Sequence, residues 1–398
     1  MHLNYTFAAQ SFGSDPSSEG GDLNAYESPI LQLVFSLLQK AHQQGASDIH
    51  WEPLEKSFRV RFRIDGQLHE IQQLPKKLHG AVINRLKIMT GSMSIAEKRL
   101  PQEGRFRETI DYQVVDFRVS CIPTLHGESI VLRLLETSSL GRDLTELGLW
   151  EDDLALLERI IHRPDGLVLV TGPTGSGKTT TLYAILNVLN KRDCKMITVE
   201  DPVEYQIPGI NQVAVQDTIG RTFSAVLRSM LRQATNIIMV GEIRDSETAG
   251  IAINAALTGH LILSTLHTND AVSALTRLED LDVPTFLRSE ALRAVVAQRL
   301  VRRLCPHCKV PTTLSNYEII ALELTPEALT DATPMKAAGC EQCHQRGFQG
   351  RFGIFEILIC DEESHQDKPK HTLRDDAVRK MLEGWTTPQE VFSATLAV

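Results

Sequence analysis

Nowhere in the 398 residues is there an uninterrupted apolar run of about 18 residues, so no helix of this chain is expected to span a membrane. The N-terminus also lacks an apolar core. It is rich in Ser, Gly and acidic residues, which excludes a secretory signal peptide and points to a chain that stays in the cytoplasm. Long Lys/Arg runs are missing too, and the net charge is −9, which argues against a general nucleic-acid binder; no specific nucleic acid is expected as a partner. Cysteines number only seven, an awkward set for disulfides, and in the cytoplasm they stay reduced. What remains is ordinary globular composition, 42% apolar and 23% charged, at a length that predicts two or three domains.

Against these absences stands Gly172-Pro173-Thr174-Gly175-Ser176-Gly177-Lys178-Thr179, a match to G-x-x-x-x-G-K-[ST] at every position. The apolar run Leu167–Val170 before it reads as a buried parallel strand, and Thr180 onward reads as the first turns of a helix. Strand, Gly-rich loop and helix form the context in which backbone N–H groups and a helix N-terminus cradle phosphate. Lys178 is then placed to reach the β- and γ-phosphates, and the Thr179 hydroxyl to ligate Mg²⁺. A chance Gly-rich turn is the bland alternative, and the length of the match disfavours it. A nucleoside triphosphate is the expected ligand.

Taken in order, residues 1 to 27 read as flexible. Ser28-Pro29 is an N-cap and N1 pair that opens an amphipathic helix ending near Gly45. Phe58–Ile64 alternates strictly, with Arg59, Arg61 and Arg63 on one face; such a row is either a solvated strand face or a functional one. Asp65-Gly66 reads as a hairpin turn, a second helix is expected near 78–91, and further strands over 112–120 and 129–135. Residues 28–137 thus read as a small α+β domain, 138–147 as a linker, and 148–398 as the nucleotide domain.

In that second domain Met196–Val199 reads as a strand that ends in Glu200, Asp201 and Glu204, where α/β sheets place ligands. These carboxylates are candidates to hold Mg²⁺ through water or to orient the attacking water, with a plain acidic loop as the alternative. Ile237–Val240 reads as a strand delivering Glu242, a candidate to polarise water for attack on the γ-phosphate. His260 and His267 bracket the strand Leu261–Leu266, and either is a candidate γ-phosphate sensor or a structural histidine. Cys305-Pro306-His307-Cys308 and Cys340-Glu341-Gln342-Cys343 have the spacing of a tetrahedral structural Zn²⁺ site, in a module of about 303–351, with a redox pair as the rival reading. Cys121, Cys194 and Cys360 fall outside that pattern and read as packing residues.

Several segments together resemble the secretion ATPases of type II secretion and type IV pilus assembly, the general secretion protein E family. They are Ala46-Ser47-Asp48-Ile49-His50, Arg61–Gly66, Glu97–Arg105, the phosphate loop, Val199–Tyr205, Gly241–Asp245, Thr258–His260 and Leu266–Asn269. Tyr205 and the segment from Ala271 to Arg302 are closer to the type II secretion branch. The resemblance implies an α/β, RecA-like P-loop ATPase domain carrying the tetracysteine module and preceded by a PAS-like α+β domain. It implies ATP, Mg²⁺ and Zn²⁺ as cofactors, and a homo-hexamer working at the inner membrane through platform and recruitment proteins. It also implies that Arg118 and Arg133 of the first domain, with Arg228 and Arg232 of the second, contact phosphate. Type IV pilus assembly, DNA uptake and a slow scaffold relative are the alternative functions.

Three departures from the family pattern carry expectations. Relatives usually have a further N-terminal docking domain, whereas some 27 residues precede the first helix here, so that recruitment to the membrane is expected either to be lost or to use another surface. Where relatives carry Asp-Pro-Asp, this chain has Ala234-Thr235-Asn236, which is expected to remove two carboxylates near the nucleotide. Ser364–His371 is polar where more helix is expected, so the C-terminal bundle reads as trimmed.

Overall fold

The computed structural model describes residues 29–136, 141–330, 332–360 and 368–396. The flexible-looking residues 1–27, the expected N-cap Ser28, part of the expected linker, and residues 364–367 of the polar stretch Ser364–His371 lie outside the described residues. The chain forms two compact units that divide between Leu134 and Leu135.

The first unit opens with α1 (Pro29–Gln43), which buries Val34, Leu37, Leu38 and Ala41 together with Leu31, while Ile30 and Leu33 of the same amphipathic helix are partly buried against that core. Strands β1 (Ala46–Pro53), β2 (Ser57–Ile64) and β3 (Gln67–Pro75) follow, then α2 (His79–Thr90), β4 (Gln102–Ile110), β5 (Gln113–Thr124) and β6 (Gly127–Glu136). The strands make one sheet in the order β3-β2-β1-β6-β5-β4. Alternation puts Phe58, Val60, Phe62 and Ile64 into the core with Ile49, Trp51 and Phe117. The opposite row of arginines is not merely solvated: β1 supplies its counter-charges. Arg59 and Arg61 pair with Glu52 at 3.0 and 2.5 Å, and Arg63 and Arg133 pair with Asp48 at 3.4 and 3.1 Å. Half-exposed pairs of this kind are worth about 1 kcal/mol or less each, so the ladder contributes more to strand register than to stability.

The second unit comprises α3 (Glu151–Ile161), β7 (Gly166–Thr171), α4 (Lys178–Leu189), β8 (Met196–Glu200), β9 (Asn211–Ala214), α5 (Phe223–Met230), β10 (Ile237–Val240), α6 (Ser246–Leu257), β11 (Leu261–Leu266), α7 (Ala271–Asp280), α8 (Thr285–Ala291) and β12 (Leu292–Leu304). Then come β13 (Val310–Pro311), α9 (Asn316–Ala321), β14 (Met335–Lys336), β15 (Phe348–Ile359), α10 (Leu373–Leu382) and α11 (Pro388–Thr395). The main sheet has seven strands in the order β15-β12-β7-β11-β10-β8-β9, all parallel except for the antiparallel β12–β15 edge pair. Strands β7, β10 and β11 are buried along their whole length, as continuous apolar runs require when both sheet faces are covered. One face packs Val168, Val170, Met239 and Leu263 against α3 and α4. The other packs Leu167, Leu169, Ile238 and Ile262 against α5, α6, α7 and the C-terminal helices. Leu144 and Leu147, within the stretch expected to be a linker, are buried in the α4 side of that core.

Candidate nucleotide and metal sites

β7 ends at Thr171, and the chain turns through the Gly-rich loop into α4. Gly172 and Gly177 have φ of 151° and 89°, and a Cβ on either would lie 2.5 Å from the Gln298 carbonyl or 2.8 Å from its side-chain Nε2. Both backbone sign and space therefore demand glycine at the two ends of the loop. Lys178 donates to the carbonyls of Gly172 (2.8 Å) and Pro173 (3.0 Å), which brings its ammonium back over the loop. Burial lowers its pKa and Arg299 adds to that, while the Glu242 carboxylate opposes it. The hydroxyl-bearing Thr179 and Thr180 are exposed on the first turn of α4.

The ends of two further strands supply the rest. Glu242 follows β10; one carboxylate oxygen accepts from the Arg244 guanidinium and the other lies 3.5 Å from His267 Nε2, just past β11. Arg244 also sits 3.6 Å from Asp201 and over the ring of Phe223 at 5.9 Å. Burial, together with the charges of Lys178 and Arg244, lowers the His267 pKa, and Glu242 works the other way. Lys178, Glu242, His267, Arg244 and Asp201 thus gather at the carboxyl edge of one parallel sheet, where open α/β sheets bind ligands. That arrangement can hold a polyphosphate and polarise a water beside it.

Other residues singled out in the sequence lie elsewhere. Glu200 turns inward, accepting from Tyr183, from Thr198 at 2.5 Å and from Gln212 at 3.1 Å, so it ties α4 to β8 and β9 in the core. Its charge raises the Tyr183 pKa, which burial has already pushed up. Glu204 is half-buried near that tyrosine. His260 is at the wrong end: it precedes β11, its Nδ1 is 3.2 Å from the Ala255 carbonyl, and Gly166 at the start of β7 donates to its backbone. The strand holds it about 20 Å from His267, which removes it as a phosphate sensor. Ala234-Thr235-Asn236 is at that same far edge. Asn236 Oδ1 accepts from Lys195 N–H at 2.8 Å, and Leu261 N–H donates to the Asn236 carbonyl, so these residues join the starts of β8, β10 and β11. The expected loss of carboxylates beside the nucleotide is therefore corrected, because this triplet is remote from the loop. Arg232 also leads into that edge: the carbonyl of Gln233 beside it accepts from Lys195 Nζ at 2.5 Å. Arg228 is exposed on α5 and pairs with Glu247 of α6 at 2.5 Å. Arg118 of β5 is half-buried opposite Arg105, and Arg133 is occupied by Asp48.

The four cysteines at the neck between β12 and β15 converge. Their sulfurs all lie within 4.8 Å of one another, with Cys305–Cys340, Cys308–Cys343 and Cys340–Cys343 at 3.9, 3.8 and 3.7 Å. A tetrahedral zinc with Zn–S of ~2.3 Å sets its sulfurs about 3.8 Å apart, so the donor set fits that ion. Burial pushes up the thiols of Cys305 and Cys308, the latter to about 11. At Cys343 burial is outweighed by N–H groups of Cys340 (3.3 Å) and Gly347 (3.1 Å), and its pKa falls to about 6.

Sequence reasoning missed Gln298 and Arg299, which lie under the loop inside β12. Two polar residues interrupting the apolar run from Ala294 to Val301 were the available signal. It also missed Arg244 as the partner of Glu242, and Tyr183 as the partner of Glu200.

Type II secretion system protein E of Pseudomonas aeruginosa is 45% identical over 399 residues, covering 96% of this chain and 79% of that protein. The type IV pilus assembly ATPase PilB of Myxococcus xanthus is 46% identical over 389 residues, covering 93% of this chain and 69% of that protein. Among solved structures, the Legionella pneumophila ATPase DotB superposes with a TM-score of 0.68 at 21% identity, covering 92% of this chain and 96% of that one, a likeness of fold. The model of the family described as "Type II/IV secretion system protein" matches residues 24–393, and the chain belongs to that family.

Proposed function

We propose that this chain is an ATP-hydrolysing motor that drives pseudopilus or pilus assembly in type II protein secretion. The observation that carries the reading is the meeting of Lys178, Glu242 and His267 at one sheet edge beside a complete phosphate loop. Residues 172–180 hold the phosphates of ATP, with Thr179 on Mg²⁺. Glu242, its two oxygens engaged by Arg244 and His267, accepts a proton from the attacking water. Asp201, beside Arg244, would order the water around a bound Mg²⁺, whereas Glu200 and Glu204 lie behind it toward Tyr183. Arg118, Arg133 and Arg228 supply positive charge to the transition state when a homo-hexamer assembles or the first unit turns onto the nucleotide. For Arg133 this means exchanging Asp48 for phosphate.

In this reading residues 28–137 form a PAS-like domain and 148–398 a RecA-like domain whose four cysteines hold one structural Zn²⁺. The hexamer sits at the inner membrane through platform and recruitment proteins. Type IV pilus assembly is the second reading, favoured by the 46% identity to PilB. The test is steady-state ATP hydrolysis against protein concentration, with native mass to follow assembly, beside Glu242→Gln. Specific activity should rise with hexamer formation, and Glu242→Gln should bind ATP but lose turnover by at least about 100-fold. Normal turnover in that variant removes Glu242 from the role.

A further inference from the structure

Resting on the nucleotide reading, we propose that Gln298 and Arg299 are positioning residues that hold the phosphate loop and the His267 loop in register. β12 pairs with β7 only as far as Ala297 opposite Thr171, so Gln298 is the first residue of β12 beyond the end of β7, where the phosphate loop departs. Both residues are more than nine-tenths buried, at 2% and 9% exposure, although their type is polar and charged. Buried polar groups at such a place persist only with partners, and the partners here include the helix that follows the phosphate loop and the loop that carries His267.

Gln298 touches the loop at three points. Its side-chain carbonyl accepts from Thr181 Oγ1 at 2.7 Å, on the first turn of α4. Its backbone carbonyl and its Nε2 occupy the space that a Cβ on Gly172 or Gly177 would need. The start of the loop is therefore gauged against the Gln298 backbone, and its end and the helix it feeds against the Gln298 side chain. Arg299 then reaches the other way, donating to the Gln298 carbonyl at 3.0 Å and to the Asn269 carbonyl at 2.5 Å. Asn269 lies two residues past His267, and the intervening Thr268 bonds Thr171 through the two hydroxyls at 2.6 Å. Arg299 also faces Asp270 and Glu356. Glu356 is itself buried, with its carboxylate receiving the first N–H groups of α7 (Ala271, 2.8 Å) and α10 (Leu373, 3.2 Å). The loop that presents His267 to Glu242 is thus fastened on one side to β7 and on the other to the Gln298–Arg299 pair.

The test is Mg·ADP affinity, read with a fluorescent ADP analogue on the full chain. Wild type is compared with Gln298→Ala, Thr181→Val and the double variant, and metal content and the nucleotide-free thermal midpoint check the fold. Each single change should weaken binding by about tenfold, the worth of one hydrogen bond. The double variant should bind no more weakly than Gln298→Ala alone, because both changes remove the same bond. Unchanged affinity in a folded Gln298→Ala protein, or effects that multiply in the double variant, overturns the inference. If Gln298→Ala does not fold, normal affinity in Thr181→Val overturns it. Arg299→Lys keeps the charge but not both bonds, and should lower kcat about tenfold with KM little moved; an unchanged kcat overturns its part. A wild-type chain that takes up no ADP overturns the nucleotide reading and this inference together, whereas a binding wild type with equally binding variants overturns the inference alone.

Discussion

The two edges of the seven-stranded sheet carry similar residue types and have opposite fates. At the carboxyl edge, Lys178, Glu242 and His267 arrive from three strand ends and electrostatically couple. At the amino edge, Lys195, Asn236 and His260 arrive at the starts of three strands, and each is engaged with backbone. A histidine before β11 and another after it look alike in sequence. The parallel direction of every central strand makes one a member of the site and the other a fastening of the sheet. Parallel register collects loops of the same sense at one edge, and only the carboxyl edge has the helix N-terminus of α4 to receive an anion.

The contrast is testable with matched pairs, the largest effect first. Lys178→Ala should weaken nucleotide binding by about 100-fold or more, since it removes a direct phosphate partner. Lys195→Ala, its counterpart at the other edge, should change affinity less than about twofold; equal losses from both would mean that the two edges are not functionally distinct. Isothermal binding of Mg·ADP reads both.

A second measurement concerns the cysteine neck, whose chemistry belongs to neither loop set. Metal analysis should find about one zinc per chain, and Cys340→Ser should lose it along with a clear drop in thermal midpoint. A variant with unchanged metal content and stability would remove the site.

Smaller effects separate the histidines. His267→Ala should cut turnover by about tenfold, because it releases one oxygen of Glu242, while His260→Ala should stay within about twofold of wild type. The smallest effect expected is that of Asn236→Asp. The substitution keeps the acceptor for Lys195 N–H and introduces a carboxylate, yet turnover should move by less than about twofold because that position is far from the loop. A large gain in activity would show that this edge does reach the nucleotide.

Much of the site was legible because its signals are local. The phosphate loop announces itself through glycines whose φ and missing Cβ are both required, and the cysteines through a spacing that brings two thiolates to one point. Alternation along Phe58–Ile64 was enough to sort core from surface. What alternation cannot supply is the partner across the sheet. That Arg59 and Arg61 meet Glu52, and that Arg133 meets Asp48 from 85 residues away, depends on strand order. Glu200 and Glu242 illustrate the same limit. Both end apolar strands with a carboxylate, but one turns inward to Tyr183 and the other outward toward Lys178 and His267.

The sequence alone therefore determined the elements that need only their own neighbours: the phosphate loop, the strand and helix flanking it, the two Cys pairs, and the apolar runs that must be buried on both sides. Only the tertiary structure decided which end of each strand faces the phosphate loop, which acids are buried, and which residues far along the chain close around it. Backbone conformation and periodicity are properties of adjacent residues, whereas register and direction in a sheet are set by the packing of the whole unit. Gln298 and Arg299 belong to the second kind: two polar residues within the apolar run Ala294 to Val301 acquire their meaning only when β12 is laid beside β7.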